Sequence, residues 1–371
     1  MPEGDEHRLS QQTCSAFDGS LSSSWHREKG GIQMNRQPTL RSSMLVLALA
    51  AYSVGASGDQ PVGTIRNFGP NLQQTVCRQP EGIAVDPRGN LYASSNSDTA
   101  TIGHVCVFNR HGTLVDIIEV PTGTSPVIGL LGELFDEDDG LYVVDQADNV
   151  APNGRLLKIN PRTHAVTLLA AGFSFPNAIA QDRHRNLYVS DSLTGQIARV
   201  APDGSSKTVW IDSPLLRTNN PDQPVGANGL AFDREHRFLY VANTGDHRIL
   251  RIPVLRDGSS GAIEIFADGA TINGQLGITQ ALFGADGIQF DVRGNLYVLA
   301  NQAEEIQVLS PDGRLIARYA GSGANVLDFP ASLVFKGDDL YIANMSAQDG
   351  GINSKLSVFE APYPGLPLDP R

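Results

Sequence analysis

The sequence is short of cysteine, of long hydrophobic runs and of helical periodicity. Only three of its 371 residues are cysteine, and one of these lies within the first 33 residues. The apolar run from Met44 to Tyr52 is far shorter than the roughly 20 residues that a membrane-spanning helix requires, so stable membrane insertion is not expected. No segment keeps a sustained helical period, which argues against an α/β fold.

Several catalytic motifs are also missing. The chain contains no G-x-S-x-G nucleophile turn, no H-E-x-x-H helix, no phosphate-binding P-loop and no dinucleotide-binding glycine fingerprint. Nothing in it offers the cysteine and histidine set that zinc prefers. Lysine and arginine number 28 against 40 acidic residues, which gives a net charge of −12. An acidic chain without a basic stripe is a poor candidate for binding nucleic acid or anionic membranes.

The N-terminal part of the chain has the character of processing segments. Residues 1–33 are polar, rich in Ser and Gly and without periodicity, so we expect a disordered or non-native extension. Residues 34–56 have the pattern of a secretory signal peptide, in which Arg36 and Arg41 precede an apolar run and a small-residue cleavage site. We therefore expect a secreted or periplasmic protein whose folded domain covers residues 57–371.

One dipeptide, Leu-Tyr, recurs six times at spacings of 44 to 57 residues. Each copy follows a short apolar strand and a polar turn, as GIAVD, PRGN and LYAS do over residues 82–94. This period fits a propeller blade of four strands and predicts an all-β, six-bladed β-propeller. We expect the strand near residues 62–68 to join residues 356–359 in the last blade, which would close the ring and remove free edges. The six copies begin at Leu91, Leu141, Leu187, Leu239, Leu296 and Leu340.

The innermost strand of each blade lines a central channel, so one register position repeated around the ring points six side chains at the axis. Counted back from each Leu-Tyr pair, this position holds an oxygen-bearing side chain in four blades and an apolar one in two. Two carboxylates and two amide carbonyls suit a hard cation such as calcium, which accepts six to eight oxygen ligands. The alternative is that polar residues simply vary at a wet channel mouth. The six residues are Glu81, Leu131, Asn177, Asn228, Asp286 and Ala331.

Two cysteines remain within the predicted domain. Cys77 and Cys106 lie before and after the first repeat strand. In an oxidising compartment their places allow them to form a disulfide. Two buried free thiols are the alternative.

The strings around the four oxygen-bearing positions resemble the SMP-30/gluconolactonase/LRE-like family. They read PEGIAVD, PNAIAQD, ANGLAFD and ADGIQFD. Members of the family are six-bladed propellers with a divalent cation in the central channel. The resemblance implies that Glu81, Asn177, Asn228 and Asp286 hold calcium or another divalent cation here. It also implies hydrolysis of a small-molecule lactone or related ester, with Asp286 as general base or nucleophile, and we expect a monomer.

Two apolar residues depart from the sugar-lactone hydrolases of this family. Phe175 stands where those members commonly carry an arginine that contacts the substrate, and Leu131 occupies the register position of the second blade. We therefore expect both residues to contact a substrate that is less polar than gluconolactone.

Two further functions are compatible with the repeat. The chain also resembles NHL-type propellers, which are often scaffolds that bind a ligand or a protein without catalysis. Strictosidine-synthase-like chemistry uses the same fold with a catalytic glutamate and no metal. It is the weakest of the three hypotheses, because it leaves the four-residue oxygen set without an explanation.

Overall fold

Six sheets, each of four antiparallel strands, make up the domain. The computed structural model describes residues 63–96, 100–136, 138–149 and 152–367. The predicted N-terminal extension and signal peptide lie outside these ranges. Five sheets take their strands in chain order, and the sixth combines the last three strands with the first.

The strands follow the predicted repeat. The chain begins with β1 (Ile65–Phe68). The first blade contains β2 (Pro80–Val85), β3 (Leu91–Ser95), β4 (Ile102–Phe108) and β5 (Leu114–Pro121). The second contains β6 (Leu130–Phe135), β7 (Leu141–Asp145), β8 (Gly154–Ile159) and β9 (Val166–Phe173). The third contains β10 (Pro176–Gln181), β11 (Leu187–Asp191), β12 (Gln196–Val200) and β13 (Lys207–Asp212).

The remaining blades have the same plan. The fourth contains β14 (Ala227–Phe232), β15 (Phe238–Asn243), β16 (Arg248–Pro253) and β17 (Glu264–Asp268). The fifth contains β18 (Ala285–Phe290), β19 (Leu296–Ala300), β20 (Glu305–Leu309) and β21 (Leu315–Tyr319). The sixth contains β22 (Pro330–Lys336), β23 (Asp339–Asn344) and β24 (Lys355–Glu360), to which β1 is added.

The blades form a closed ring. The first strand of each blade contacts the first strand of the next, and β22 contacts β2 to complete the circle. At the seam, β1 pairs with β24, with Ile65 opposite Phe359 and Phe68 opposite Leu356. The six-bladed propeller and its predicted closure are confirmed. Because the sixth sheet takes strands from both ends of the domain, separating the blades there would break a complete strand ladder.

The tyrosine of each Leu-Tyr pair is buried between blades. Tyr240 packs edge-on against Phe290 at the end of the next blade's first strand, with ring centroids 4.9 Å apart. Tyr188 meets Phe232 of the fourth blade in the same way at 5.1 Å. Edge-to-face pairs contribute about 0.5–1.5 kcal/mol beyond the area that they bury. The repeated tyrosine therefore holds neighbouring blades together.

Glycine follows the predicted channel position in four blades, because neighbouring first strands approach closely there. A Cβ at Gly229 would lie 2.3 Å from the main-chain oxygen of Asp286, and a Cβ at Gly82 would lie 2.2 Å from that of Leu131. A side chain at either place would drive apart the strands that carry the candidate ligands. The four glycines are Gly82, Gly132, Gly229 and Gly287.

Gly229→Ala is expected to lower the free energy of unfolding by about 1–3 kcal/mol, because the added methyl group overpacks the contact with β18. Thermal unfolding followed by circular dichroism measures the loss. Gly274 lies where an added Cβ would meet no atom within 4 Å, so Gly274→Ala is the matched control. It is expected to raise stability by up to about 1 kcal/mol. Equal melting temperatures for the two variants would contradict the packing argument.

Short helices occur in the loops of the described residues. Helix α1 (Gly269–Leu276) connects the fourth blade to the fifth, and three 3-10 turns lie in other loops. The Asp268 side chain caps α1 by accepting from Thr271 N, and Gly277 ends it at φ 65°. The sequence did not indicate this helix, because eight residues are too few for a sustained period.

No helix in the described part of the chain is long and apolar enough to cross a membrane.

Cys77 and Cys106 form a disulfide, with their Cα atoms 5.9 Å apart. Both residues are buried. Cys77 lies in the loop that leads into β2, whereas Cys106 lies within β4 of the same blade. The bond therefore ties that loop to the sheet shortly before Glu81, and the alternative of two free thiols does not hold.

Candidate metal centre

The six predicted channel positions are equivalent in the structure. Each is the second residue of its blade's first strand and lies within a shift of the strand register. In β14, Ala227 pairs with Asn243 and Leu230 with Val241, so Asn228 lies on the side that carries an extra residue. Such a bulge bends the strand and re-aims a side chain. The register derived from the Leu-Tyr spacing is therefore correct in all six blades.

The four oxygen-bearing side chains of this set are almost fully buried. Glu81, Asn177, Asn228 and Asp286 are each 4 to 5 % exposed. An isolated carboxylate in such surroundings is costly unless it is protonated, paired or bound to a metal. Glu81 Oε2 has no hydrogen-bond partner. An added ligand would satisfy this oxygen.

The two carboxyl groups influence one another. Burial raises the pKa of Asp286 to about 7, although hydrogen bonds from Asn301 and Asn228 work in the opposite direction. Burial also raises the pKa of Glu81 well above its ordinary value, and the charges of Asp286 and Glu133 raise it further. When no cation is bound, both carboxyl groups therefore keep their protons to a higher pH than ordinary carboxyl groups do. A divalent cation held by these carboxyl groups would lower both pKa values.

This donor set fits a hard divalent cation. Two carboxylates balance a double positive charge, and amide oxygens are neutral ligands of the kind that calcium accepts. Within the described ranges, no group of three or more His, Cys, Asp or Glu side chains is arranged to hold a metal. A set in which half of the donors are amides does not need such a group. Two observations thus support a divalent cation at this site, namely the oxygen donors of the four side chains and the unpartnered oxygen of Glu81.

Sequence reasoning missed Glu133, a third carboxyl group in the channel. It lies two residues beyond Leu131 in β6. Neither of its carboxylate oxygens has a hydrogen-bond partner, and burial raises its pKa well above the ordinary value. The repeat itself offered a signal, because the position two residues after the channel residue carries a carboxyl group in the second blade alone. The other blades carry only aliphatic residues at this place, namely Ile83, Ile179, Leu230, Ile288 and Leu333.

A small cavity lies in the channel beside the candidate ligands. Its volume is about 60 Å³, and Glu133, Asn177, Asn228 and Ser332 are among its lining residues. This volume has room for a few water molecules but not for an organic substrate.

Leu131 and Phe175 lie in one apolar cluster formed by the second and third blades. Leu131 is only 2 % exposed, which leaves little of its surface for a ligand. Phe175 is half-buried, and its main-chain N–H donates to Asp191 Oδ1 at 3.2 Å. Substrate contact by these two residues stays a prediction, and Phe175 is the more accessible of them.

A family comparison points to the same residues. Residues 217–346, which include Asn228 and Asp286, match the model of the SMP-30/gluconolactonase/LRE-like region. Over these residues the chain is similar to that family. The SMP-30-like region runs from the loop before the fourth blade to the end of the second strand of the sixth. The resemblance seen in the sequence strings is thus confirmed for the matched range, which contains the strings around Asn228 and Asp286.

One curated relative of this SMP-30-like chain is the lactonase drp35 of Staphylococcus epidermidis. The two sequences are 25 % identical over 182 residues, which are 48 % of this chain and 54 % of the relative. The chain therefore spans about half the length of the curated relative that it matches.

Solved structures share the fold at lower identity. A gluconolactonase from Xanthomonas campestris superposes with a TM-score of 0.55 at 19 % identity, covering 77 % of this chain and 86 % of the other. A calcium-binding protein, regucalcin, from Agrobacterium tumefaciens superposes with a TM-score of 0.56 at 17 % identity, covering 81 % and 97 %. At these identities the likeness shows the fold alone.

Proposed function

We propose that the protein is a calcium-dependent hydrolase of lactones or related esters. The observation that carries the proposal is the buried pair Glu81 and Asp286. The charge of Asp286 raises the pKa of Glu81, and Glu81 Oε2 has no hydrogen-bond partner. Such a pair is costly unless it is protonated or neutralised by a cation. The SMP-30-like region and the lactonase relative support lactones as the substrate class.

The roles of the chain's residues follow from their contacts. Calcium, or another divalent cation, would supply a Lewis acid that polarises the scissile carbonyl and acidifies a nucleophilic water. Glu81, Asn177 and Asn228 would hold the ion. Asn301 Nδ2 donates to Asp286 Oδ2 at 2.8 Å, which fixes that oxygen. Asp286 Oδ1 would then accept the proton of the attacking water, so that this carboxylate both faces the ion and acts as general base.

Phe175 favours a substrate with an apolar part. An aromatic ring in place of a guanidinium group removes the donors that a polyhydroxylated lactone would need. An alkyl lactone or an aryl ester can bury apolar surface against the ring at about 25 cal/mol per Å². These two ester classes are therefore the proposed substrates.

Secretion is part of the proposal. The disulfide between Cys77 and Cys106 requires an oxidising compartment to form and persist in most organisms. This agrees with the signal-peptide pattern over residues 34–56. We therefore place the hydrolase in the periplasm or outside the cell, as a soluble monomer.

A binding propeller without catalysis is the second candidate. The observation in its favour is that the second and sixth blades place Leu131 and Ala331 at the channel position. These two blades supply no donor atom for a cation at that position, and a binding propeller needs none. The proposed hydrolase and this binding protein differ in turnover and in their need for a metal.

Turnover that depends on calcium is the decisive test. The mature protein is assayed against alkyl lactones, aryl esters and phosphotriesters, then after EDTA treatment and dialysis, then after addition of calcium. We expect hydrolysis of at least one lactone or aryl ester, loss of that activity with EDTA and recovery with calcium. Magnesium and zinc additions serve as ion controls. A protein that contains no calcium by mass spectrometry and hydrolyses none of these compounds would leave the binding propeller as the function.

A further inference from the structure

Two side chains beyond the second strands reach back to the candidate ligands. Thr244 follows β15 and Asn301 follows β19, and they occupy equivalent places in the fourth and fifth blades. The main-chain N–H of Thr244 donates to Gly226 O at 3.1 Å, and that of Asn301 donates to Gly284 O at 3.0 Å. Building on the proposed function, we infer that Thr244 and Asn301 are positioning residues that fix which atoms of Asn228 and Asp286 face the cation.

The hydroxyl group of Thr244 sets the orientation of the Asn228 amide. Thr244 Oγ1 donates to Ala285 O at 2.7 Å, and a carbonyl oxygen can only accept, so the single hydroxyl proton is used there. The same oxygen can then only accept from Asn228, which it does from Nδ2 at 3.0 Å. The Asn228 amide must therefore present its nitrogen to Thr244. Its carbonyl oxygen, the atom that can bind a cation, is left free for the channel.

Asn301 fixes Asp286 by the corresponding logic. A carboxylate only accepts, so Asn301 Nδ2 donates to Asp286 Oδ2, and Asn301 Oδ1 is left buried without a partner. Leaving a buried acceptor unsatisfied costs about 1–3 kcal/mol, a cost that this orientation of Asn301 carries. Gly284, at φ 71°, provides the space, because a Cβ there would lie 2.0 Å from Asn301 Oδ1. The contact thus requires both an asparagine and the glycine opposite it.

Ser192 provides an internal comparison in the third blade. It follows β11 at the equivalent place, and its hydroxyl group donates to Ala227 O at 2.7 Å. This bond matches the one from Thr244 to Ala285 O in length and in its target, the residue before the next blade's candidate ligand. Among the described residues, the Ser192 hydroxyl group makes no hydrogen bond to the side chain of a candidate ligand. The two residues therefore share the structural bond and differ in the positioning bond.

Fixed ligands increase metal affinity because their orientation is established before the ion arrives. Partners that orient metal ligands typically contribute a factor of about 10 to 100 in metal affinity. This gain in affinity requires that Thr244 can only accept from Asn228, because a hydroxyl group that could also donate would allow the amide to turn its oxygen away from the channel. The commitment of the Thr244 hydroxyl proton to Ala285 O meets that requirement.

Calcium affinity in matched variants tests the inference. Calcium binding to wild type, Thr244→Val, Thr244→Ser and Ser192→Ala is measured by isothermal titration calorimetry on calcium-depleted protein, and melting temperatures are recorded in EDTA. Thr244→Val is expected to weaken calcium binding by about 10- to 100-fold. Ser192→Ala is expected to lower the melting temperature in EDTA but to keep the wild-type affinity. Thr244→Ser restores the hydroxyl group and is expected to bind calcium as wild type does.

Asn301→Ala extends the test to the fifth blade, with an expected loss of calcium affinity of the same order. Terbium luminescence reports the same site in a variant too unstable for calorimetry. Equal affinities for Thr244→Val and Ser192→Ala would overturn the inference, because the structural bond would then explain both. Absence of calcium binding by the wild type would overturn the proposed function, and that result is distinguishable from the first.

Discussion

In the absence of divalent cations, the melting temperature of the protein is expected to fall as the pH rises from about 5 to 8. The pKa of Asp286 is raised to about 7, and that of Glu81 lies well above its ordinary value. The folded protein therefore holds protons that the unfolded chain, with carboxyl pKa values of about 4, has released. Where the folded state binds more protons, the free energy of unfolding decreases as the pH increases. The raised pKa of Asp286 alone corresponds to a decrease of a few kcal/mol in the free energy of unfolding, at about 1.4 kcal/mol per pKa unit.

Calcium is expected to reverse this loss, and to do so more strongly at pH 8 than at pH 5. The ion binds the ionised carboxylates, so protons compete with it at the lower pH. A free concentration of 100 times the dissociation constant stabilises the folded state by about 2.7 kcal/mol. Differential scanning calorimetry in EDTA and in saturating calcium, at intervals across this range, measures both effects.

Two histidines titrate in the same range with the opposite sign. Burial lowers the pKa values of His236 and His247, so their contribution to stability is lost as the pH falls. The double variant Glu81→Gln/Asp286→Asn keeps both histidines and removes both carboxyl groups, so its profile is subtracted from that of the wild type. In EDTA we expect the difference in stability, wild type minus double variant, to fall with increasing pH. In saturating calcium we expect this pH dependence to vanish. If wild type and double variant had parallel pH profiles in EDTA and neither responded to calcium, the raised pKa values of Glu81 and Asp286 would be contradicted.

The Leu-Tyr spacing could locate the candidate ligands because the first two strands of every blade form a hairpin with a short turn. The distance along the chain from the second strand back to the channel position is then nearly constant. Asn228 and Ala331 required corrections of one residue, and the structure confirms their register. Loops between other strands vary in length, so no comparable spacing exists for them.

The positioning residues could not be found in this way. The place that Thr244 and Asn301 occupy is defined by a main-chain bond to the residue before the first strand, which only the folded blade reveals. The six residues at this place do not follow one side-chain pattern, because three are amides, two carry a hydroxyl group and one is a methionine. They are Asn96, Gln146, Ser192, Thr244, Asn301 and Met345.

The glycine of the E-G, N-G and D-G strings shows the same limit. The sequence marks Gly82, Gly229 and Gly287 as part of a family pattern. The reason for glycine is the main-chain oxygen of the next blade's channel residue, which lies 2.2 to 2.7 Å from where a Cβ would be. Since that oxygen belongs to a residue about 45 to 60 positions further on, no local rule predicts the contact. Each of these glycines is therefore required because the main chain of the next blade's channel residue packs against it in the closed ring.

Asp286→Asn is expected to reduce ester or lactone turnover by about 10²- to 10⁴-fold while the protein stays folded. The substitution keeps the shape of the side chain and its capacity to accept from Asn301 Nδ2, but it removes the group that accepts the proton of the attacking water. An amide at this place also weakens metal binding, so turnover is measured in saturating calcium and the affinity is determined separately. Removal of the raised carboxyl group is expected to increase the melting temperature in EDTA at pH 8.

Asp203→Asn is the matched control for Asp286→Asn. Asp203 lies in an Asp-Gly hairpin turn, where it caps Ser205 N at 2.9 Å, and a local loss of this kind is not expected to change kcat. If Asp286→Asn in saturating calcium hydrolyses the substrate as fast as wild type and Asp203→Asn do, Asp286 is not the base. The remaining carboxyl groups of the channel would then be Glu81 and Glu133, and Glu133 has both oxygens unpartnered. Glu133→Gln would decide between them, because loss of turnover without loss of calcium affinity would assign the proton transfer to Glu133.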